Sequence, residues 1–213
     1  MIKFIAADLD GTLLNSSHAL PDGFMELVEK LYDMGITFAA ASGRQYYGVE
    51  KLFMPVRDKM MFIAENGGVA YEKGQLIYSL PMPADDVLAM VHEAEKLYDK
   101  GVRILLSGEN CAYVADSDKD FSDSCNTYCA RLKTVNDFSV IPDGDRIIKI
   151  ALFDKNAETQ VYPAMKRFSD DFNVILSNTC WVDIVGKTVN KGTAVTKLMD
   201  CLLYTSPSPR DCS

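Results

Sequence analysis

Lys3-Phe4-Ile5-Ala6-Ala7-Asp8-Leu9-Asp10-Gly11-Thr12-Leu13-Leu14 is a short apolar run that stops abruptly at two acids and a glycine. A run without polar alternation suits a strand buried on both faces of a parallel sheet, and it puts Asp8 at the strand's carboxyl end. A helical pattern follows, with Phe24, Leu27, Val28, Leu31 and Met34 on one face, Pro21 near its start and Gly35 at its end. Ile36 to Ala40 reads as a second buried strand, stopped at Ser42-Gly43-Arg44. A helix from Gln45 to Phe53 leads to a third, Met60 to Ala64, stopped at Glu65-Asn66-Gly67-Gly68. Strands linked in succession by helices imply right-handed parallel crossovers and a doubly wound, Rossmann-like α/β core. Ligands of such sheets bind beyond the carboxyl ends of the strands, where Asp8, Ser42 and Asn66 fall.

A hairpin (69–71, then 76–79) ends at Leu80-Pro81-Met82-Pro83, whose prolines disfavour helix just before them and mark a linker. Beyond it, helices at 85–99, 118–132 and 158–168 interleave irregularly with strands at 102–106, 112–115, 147–153, 173–176 and 180–185. That mixture predicts an inserted α+β module at 82–185. Asn190-Lys191-Gly192 opens a helix, 193–202, that returns to the first domain, so the core is discontinuous, 1–81 and 186–203. Residues 204–213 change to small polar residues and two prolines and read as a non-native or disordered tail.

Composition narrows the partners. Of 213 residues, 48% are hydrophobic and 24% charged, the balance of a packed globular protein. Lys and Arg number 22 against 30 Asp and Glu, net −8, and a field of that sign repels nucleic-acid backbones and anionic lipid. No nucleic-acid partner is expected. The first apolar run meets Asp8 too soon to form a secretory signal, and no window approaches the roughly 20 apolar residues of a membrane span. A cytoplasmic location and reduced thiols follow. Of six cysteines, Cys125 and Cys129 are the only close pair, read as one face of a helix rather than a zinc site, since His18 and His92 lie far off in sequence.

The chemistry is concentrated in Asp8-Leu9-Asp10-Gly11-Thr12. Residues i and i+2 of an extended chain lie on one side, so both carboxylates face one small volume. Their repulsion is costly unless a cation sits between them. Carboxylate oxygens around an open position suit Mg²⁺, which accepts phosphate oxygens in its remaining positions. One carboxylate can then attack phosphorus while the other protonates the leaving oxygen and later activates water. Gly11 permits the tight turn, and backbone N–H groups beside it can point at phosphoryl oxygens. Taken alone, an Asp-x-Asp pair also fits a turn or a solvated strand end.

The full string resembles the first motif of the haloacid dehalogenase (HAD) superfamily of phosphatases. The resemblance implies that Asp8 is the nucleophile and Asp10 the general acid/base, with both holding Mg²⁺, partly through the Asp10 carbonyl. Ser42, in Ala41-Ser42-Gly43-Arg44, matches the second motif, whose hydroxyl bonds the phosphoryl group. Lys191 matches the third, a lysine at a helix start. Glu65-Asn66-Gly67 and Val182-Asp183-Ile184 resemble the Cof-type subgroup, which carries a large cap between the second and third motifs. Gly11, Thr12, Gly43, Arg44, Asn66 and Gly67 are the implied substrate contacts, and the implied substrates are small phosphorylated metabolites such as sugar phosphates. In the inserted module Arg103, Lys133, Arg146 and Lys149 are candidates to meet a second anionic group. The family's fourth motif, a Gly-Asp-x-x-x-Asp-type loop, has no counterpart here: Asp200 lies inside a helix and Asp211 in the tail. The chain therefore reads as a C-terminally truncated phosphatase whose own turnover is in question. A non-catalytic phosphoacceptor module or an inert fragment is the alternative.

Overall fold

The computed structural model describes residues 2–115, 118–126, 129–139 and 144–204. The expected tail, 204–213, lies outside them apart from Tyr204. Contacts divide the chain into two compact units, Met1–Ser79 with Asn190–Ser213, and Leu80–Val189.

In the first unit, β1 (Phe4–Asp8), β2 (Thr37–Ala41) and β3 (Met60–Ala64) pair in parallel. β4 (Val69–Glu72) and β5 (Gln75–Ser79) extend the sheet antiparallel, in the order β1-β2-β3-β4-β5. The links are α1 (Phe24–Asp33) between β1 and β2, and α2 (Tyr46–Leu52) between β2 and β3. β2 and β3 are buried on both faces, whereas β1, expected to be buried likewise, is an edge strand, only partly buried and with Ala6 exposed. Ala39, Ala41, Met61 and Ile63 pack with Ala194 and Leu198 of α6 (Lys191–Tyr204). On the other face Phe38 meets Phe24 edge-on at 5.4 Å, and Phe62 lies 5.9 Å from Phe53 and 5.6 Å from Tyr46. The small alanines of β2 leave room for these rings and for α6. The α1 stripe is narrower than its sequence pattern suggests. Phe24 and Val28 are buried, while Leu27 and Met34 are exposed, because a two-helix layer covers only part of that helix.

The second unit is built on a six-stranded sheet, β10-β11-β9-β6-β7-β8. Its strands are β6 (Arg103–Gly108), β7 (Ala112–Ala115), β8 (Leu132–Val135), β9 (Ile147–Phe153), β10 (Phe172–Asn178) and β11 (Trp181–Gly186). All pairs are antiparallel except β7 with β8. α3 (Ala84–Glu95) and α5 (Val161–Met165) cover one face, where Val87, Met90, Val91, Val161 and Met165 join Ile104, Leu106, Ile150, Leu152, Val182 and Ile184. α4 (Lys119–Cys125) places Phe121 and Cys125 on the other face with Leu105, Val114 and Ala151. This is the expected α+β organisation, with one correction. The helix predicted over 118–132 ends at Cys125, and Leu132–Val135 is an edge strand with its two middle residues exposed instead. Cys129 lies beyond the helix, although its N–H still donates to Cys125 O at 2.8 Å, and both thiols are buried in one apolar cluster.

Among the described residues no helix is long and apolar enough to cross a membrane.

Candidate active site

The register of the first sheet decides where the chemistry sits. Asp8 pairs with Ala41, and Ala41 with Ile63, so β1, β2 and β3 end at nearly one level. Asp8, Ser42 and Glu65 therefore leave the sheet together. Asp8 is half-buried, and its Oδ1 accepts from Leu9 N–H at 2.9 Å and from Lys191 Nζ at 2.6 Å. Its Oδ2 carries no hydrogen bond among the described residues.

Beyond Asp8 the chain makes one wide turn, Leu9–Leu13, closed by Leu14 N–H donating to Leu9 O at 2.8 Å. Leu9 points into the core while Asp10, Gly11 and Thr12 face solvent, and Gly11 adopts φ +74°, which a side chain would oppose. Asp10 is gripped by Arg44. Arg44 Nε donates to Asp10 Oδ2 at 3.0 Å, and Nη2 donates to Oδ1. His18, at φ +57° in the turn closed on Asn15, brings its Nδ1 to 3.3 Å from Arg44 Nη2. The same Nδ1 lies 3.8 Å from Asp10 Oδ1.

The loops after β2 and β3 are stitched together. Arg44 N–H donates to Ser42 Oγ at 3.1 Å, Glu65 N–H to Arg44 O at 3.1 Å and Asn66 N–H to Ser42 O at 3.2 Å. Ser42 is fully buried; its hydroxyl accepts in that bond and keeps its own proton to donate. Glu65, Asn66 and Gly67 are all left-handed, at φ +49°, +60° and +97°. Such a run costs free energy and persists because the surrounding bonds over-determine it. Its consequence is packing: a Cβ on Gly67 would stand 2.4 Å from Asn190 O and 2.8 Å from Lys191 N. A Cβ on Gly43 would stand 2.5 Å from Asn66 Oδ1. Asn190 Oδ1 in turn caps α6 by accepting from Thr193 N–H at 2.8 Å. The turn after β3 thus seats the start of α6, and the start of α6 delivers Lys191 to Asp8.

The structure therefore brings Asp8 to Lys191, Asp10 to Arg44, and Ser42, Gly43, Asn66 and Gly67 into one pair of bonded loops, with Gly11 and Thr12 on the adjoining turn. Two ion pairs form there, Asp8 with Lys191 and Asp10 with Arg44, and Glu65, buried in the same loops, is a third acid. Sequence reading overlooked His18, whose proximity to Arg44 depends on the turn after β1, and Asn190, whose signal was its capping position before Lys191.

In the second unit, the four cations singled out in the sequence take different settings. Arg103 is bound to Asp118 at 2.6 Å and Arg146 to Glu109 at 2.5 Å, and Lys149 is buried in β9. Lys133 lines a cavity of about 510 Å³ with Asn110, Asn126, Arg131 and Asp145.

These features are those of a family. Residues 5–206 match the family model of haloacid dehalogenase-like hydrolases, and the chain belongs to that family. A 147-residue segment, 67% of the chain and 52% of the relative, is 31% identical to the 5-amino-6-(5-phospho-D-ribitylamino)uracil phosphatase YbjI of Escherichia coli K12. The chain thus matches about half the length of that relative. Among solved structures, SMU.1108c of Streptococcus mutans superposes with a TM-score of 0.82 at 26% identity, over 97% of this chain and 78% of that one. The HAD subclass IIB sugar phosphatase BT4131 shares the fold, with a TM-score of 0.73 at 20% identity, over 95% of this chain and 77% of that one.

Proposed function

We propose that the chain carries a phosphomonoester hydrolase site acting through an aspartyl-phosphate on Asp8. The observation that carries this reading is Lys191 Nζ at 2.6 Å from Asp8 Oδ1, a contact spanning 183 residues of sequence. A cation fixed there offsets the charge of the carboxylate and of an incoming phosphoryl group, so that two anions can approach each other.

Asp8 attacks phosphorus as the bond to the leaving oxygen breaks; Asp10, a carboxylate while Arg44 holds it, first takes up a proton from water and then gives it to that oxygen. Asp10 then takes a proton from the water that attacks the acyl phosphate, releasing inorganic phosphate and restoring Asp8. The Ser42 hydroxyl and the backbone N–H groups around Gly11 and Thr12 donate to the phosphoryl oxygens, while Gly43, Arg44, Asn66 and Gly67 wall the substrate's phosphoryl end.

The donors fit Mg²⁺. Asp8 keeps Oδ2 uncommitted among the described residues. Hard oxygens few in number suit an ion that retains water and accepts phosphate oxygens. Asp8 through Oδ2 and Asp10 through its backbone carbonyl would hold it, the Asp10 carboxylate being taken by Arg44, and when bound it would supply positive charge to the phosphoryl group.

For the substrate we propose small phosphorylated metabolites, sugar phosphates included, because YbjI is a phosphatase of a phosphorylated ribitylaminouracil and BT4131 a sugar phosphatase. The test is trapping: brief incubation with a radiolabelled aryl phosphate, acid quench and peptide mapping. Label on the peptide containing Asp8, removed by hydroxylamine and absent from Asp8→Asn, is the expected result. Label on a serine or on no peptide would overturn the reading.

A further inference from the structure

The Asp10–Arg44 pair presents a difficulty for any site that uses Asp10. Arg44 places two N–H donors on the two oxygens of Asp10, the fork geometry that fits a carboxylate best. In that state neither oxygen is directed at a leaving group. The Arg44 backbone is fixed, its N–H on Ser42 Oγ and its carbonyl accepting from Glu65 N–H, so the side chain alone can change partner. Its side chain is 37% exposed and that of Asp10 45%, and ion pairs so exposed are weak. A phosphoryl dianion offers the guanidinium the same two-pronged geometry with more charge. His18 stands beside both members of the pair, its Nδ1 3.3 Å from Arg44 Nη2 and 3.8 Å from Asp10 Oδ1.

Resting on the phosphatase reading, we propose that Arg44 is a two-position latch. In the empty site it clamps Asp10, and an arriving phosphoryl group draws it off, which frees Asp10 at the moment substrate is in place. Asp10 and phosphate are thus competitors for one side chain. Arg44 acts on the proton transfer through Asp10, and so is a positioning residue as well as an anion contact.

The competition is measured by a binding cycle on the full chain. Inorganic phosphate affinity is read by calorimetry, at one fixed MgCl₂ concentration, for wild type, Asp10→Asn, Arg44→Gln and the double variant. Asp10→Asn is expected to tighten phosphate about two- to fivefold, the range that release of an exposed ion pair allows. Removing a negative charge also tightens an anion without any latch, and that effect is the same whether or not Arg44 is present. The latch therefore requires the gain to shrink at least twofold in the Arg44→Gln background. Arg44→Lys, which keeps the charge without the fork, should retain most of the phosphate affinity while losing most of the coupling. An equal gain in both backgrounds would overturn the latch. So would phosphate binding that Arg44→Gln leaves unchanged, or wild type that binds no phosphate. Because the readout is equilibrium binding, it fails or succeeds independently of the Asp8 trapping experiment.

Discussion

Gly67→Ala tests whether the turn after β3 seats the helix that carries Lys191. Two penalties are combined at this position. The backbone sits at φ +97°, a left-handed value that costs an L-residue about 1–2 kcal/mol. The new methyl would stand 2.4 Å from Asn190 O and 2.5 Å from Asn190 C, which forces backbone to move and costs about 1–3 kcal/mol. The sum is about 2–5 kcal/mol. Gly74→Ala is the matched control, because Gly74 has φ +77° in the same unit but nothing within 4 Å of an added Cβ. It should lose only the first penalty. Urea unfolding of both variants isolates the difference, expected at about 1–3 kcal/mol. The same displacement should carry Lys191 away from Asp8, so turnover of Gly67→Ala should fall well below that of Gly74→Ala. Equal destabilisation by the two substitutions would refute the claim that Gly67 is required for close approach.

In the second unit, Asp145 accepts from Asn110 N–H and Nδ2, Cys111 N–H and, at 2.8 Å, Tyr113 OH, so Asp145→Ala removes the acceptor of four donors. A loss of about 3 kcal/mol in urea unfolding is expected, and a change within experimental scatter would contradict that role. Burial pushes the Cys125 thiol up to about 12, with Cys129 beside it adding to the shift, so Cys125 stays protonated and unreactive at neutral pH. Under native alkylation at pH 8, mass spectrometry should find partly exposed Cys180 modified well before Cys125; the reverse order would contradict the buried placement. Lys191→Ala should lower turnover about 100-fold or more by leaving the charge on Asp8 and phosphate without its cation, with little change in the melting temperature. A steady-state assay showing less than a tenfold loss would remove Lys191 from the chemistry.

The parallel strands were legible as apolar runs, although only β2 and β3 proved buried on both faces. Lys3 to Ala7, Ile36 to Ala40 and Met60 to Ala64 are short apolar runs, each ended by residues that cannot continue a strand. The same punctuation placed Asp8, Ser42 and Asn66 at one end of one sheet, and Asn190-Lys191-Gly192 marked the start of α6. β8 was not legible, since Leu132-Lys133-Thr134-Val135 is an edge strand with its middle residues exposed and follows a short helix without a breaker. Nor could spacing show the Arg44 grip on Asp10. That pair is separated by 34 residues and depends on how the wide turn after β1 lies beside the loop after β2. The left-handed run at Glu65-Asn66-Gly67 was partly signalled by its Asn-Gly, but its function, packing against Asn190, is a tertiary fact.

The central claim is that Asp8 is a nucleophile in a phosphoryl-transfer site. Phosphate release from a generic aryl phosphate, followed with and without Mg²⁺ in wild type and Asp8→Asn, tests it most directly. The account predicts release that requires Mg²⁺ and vanishes in the folded variant. Release that survives Asp8→Asn, or its absence from the folded wild-type chain, would contradict it.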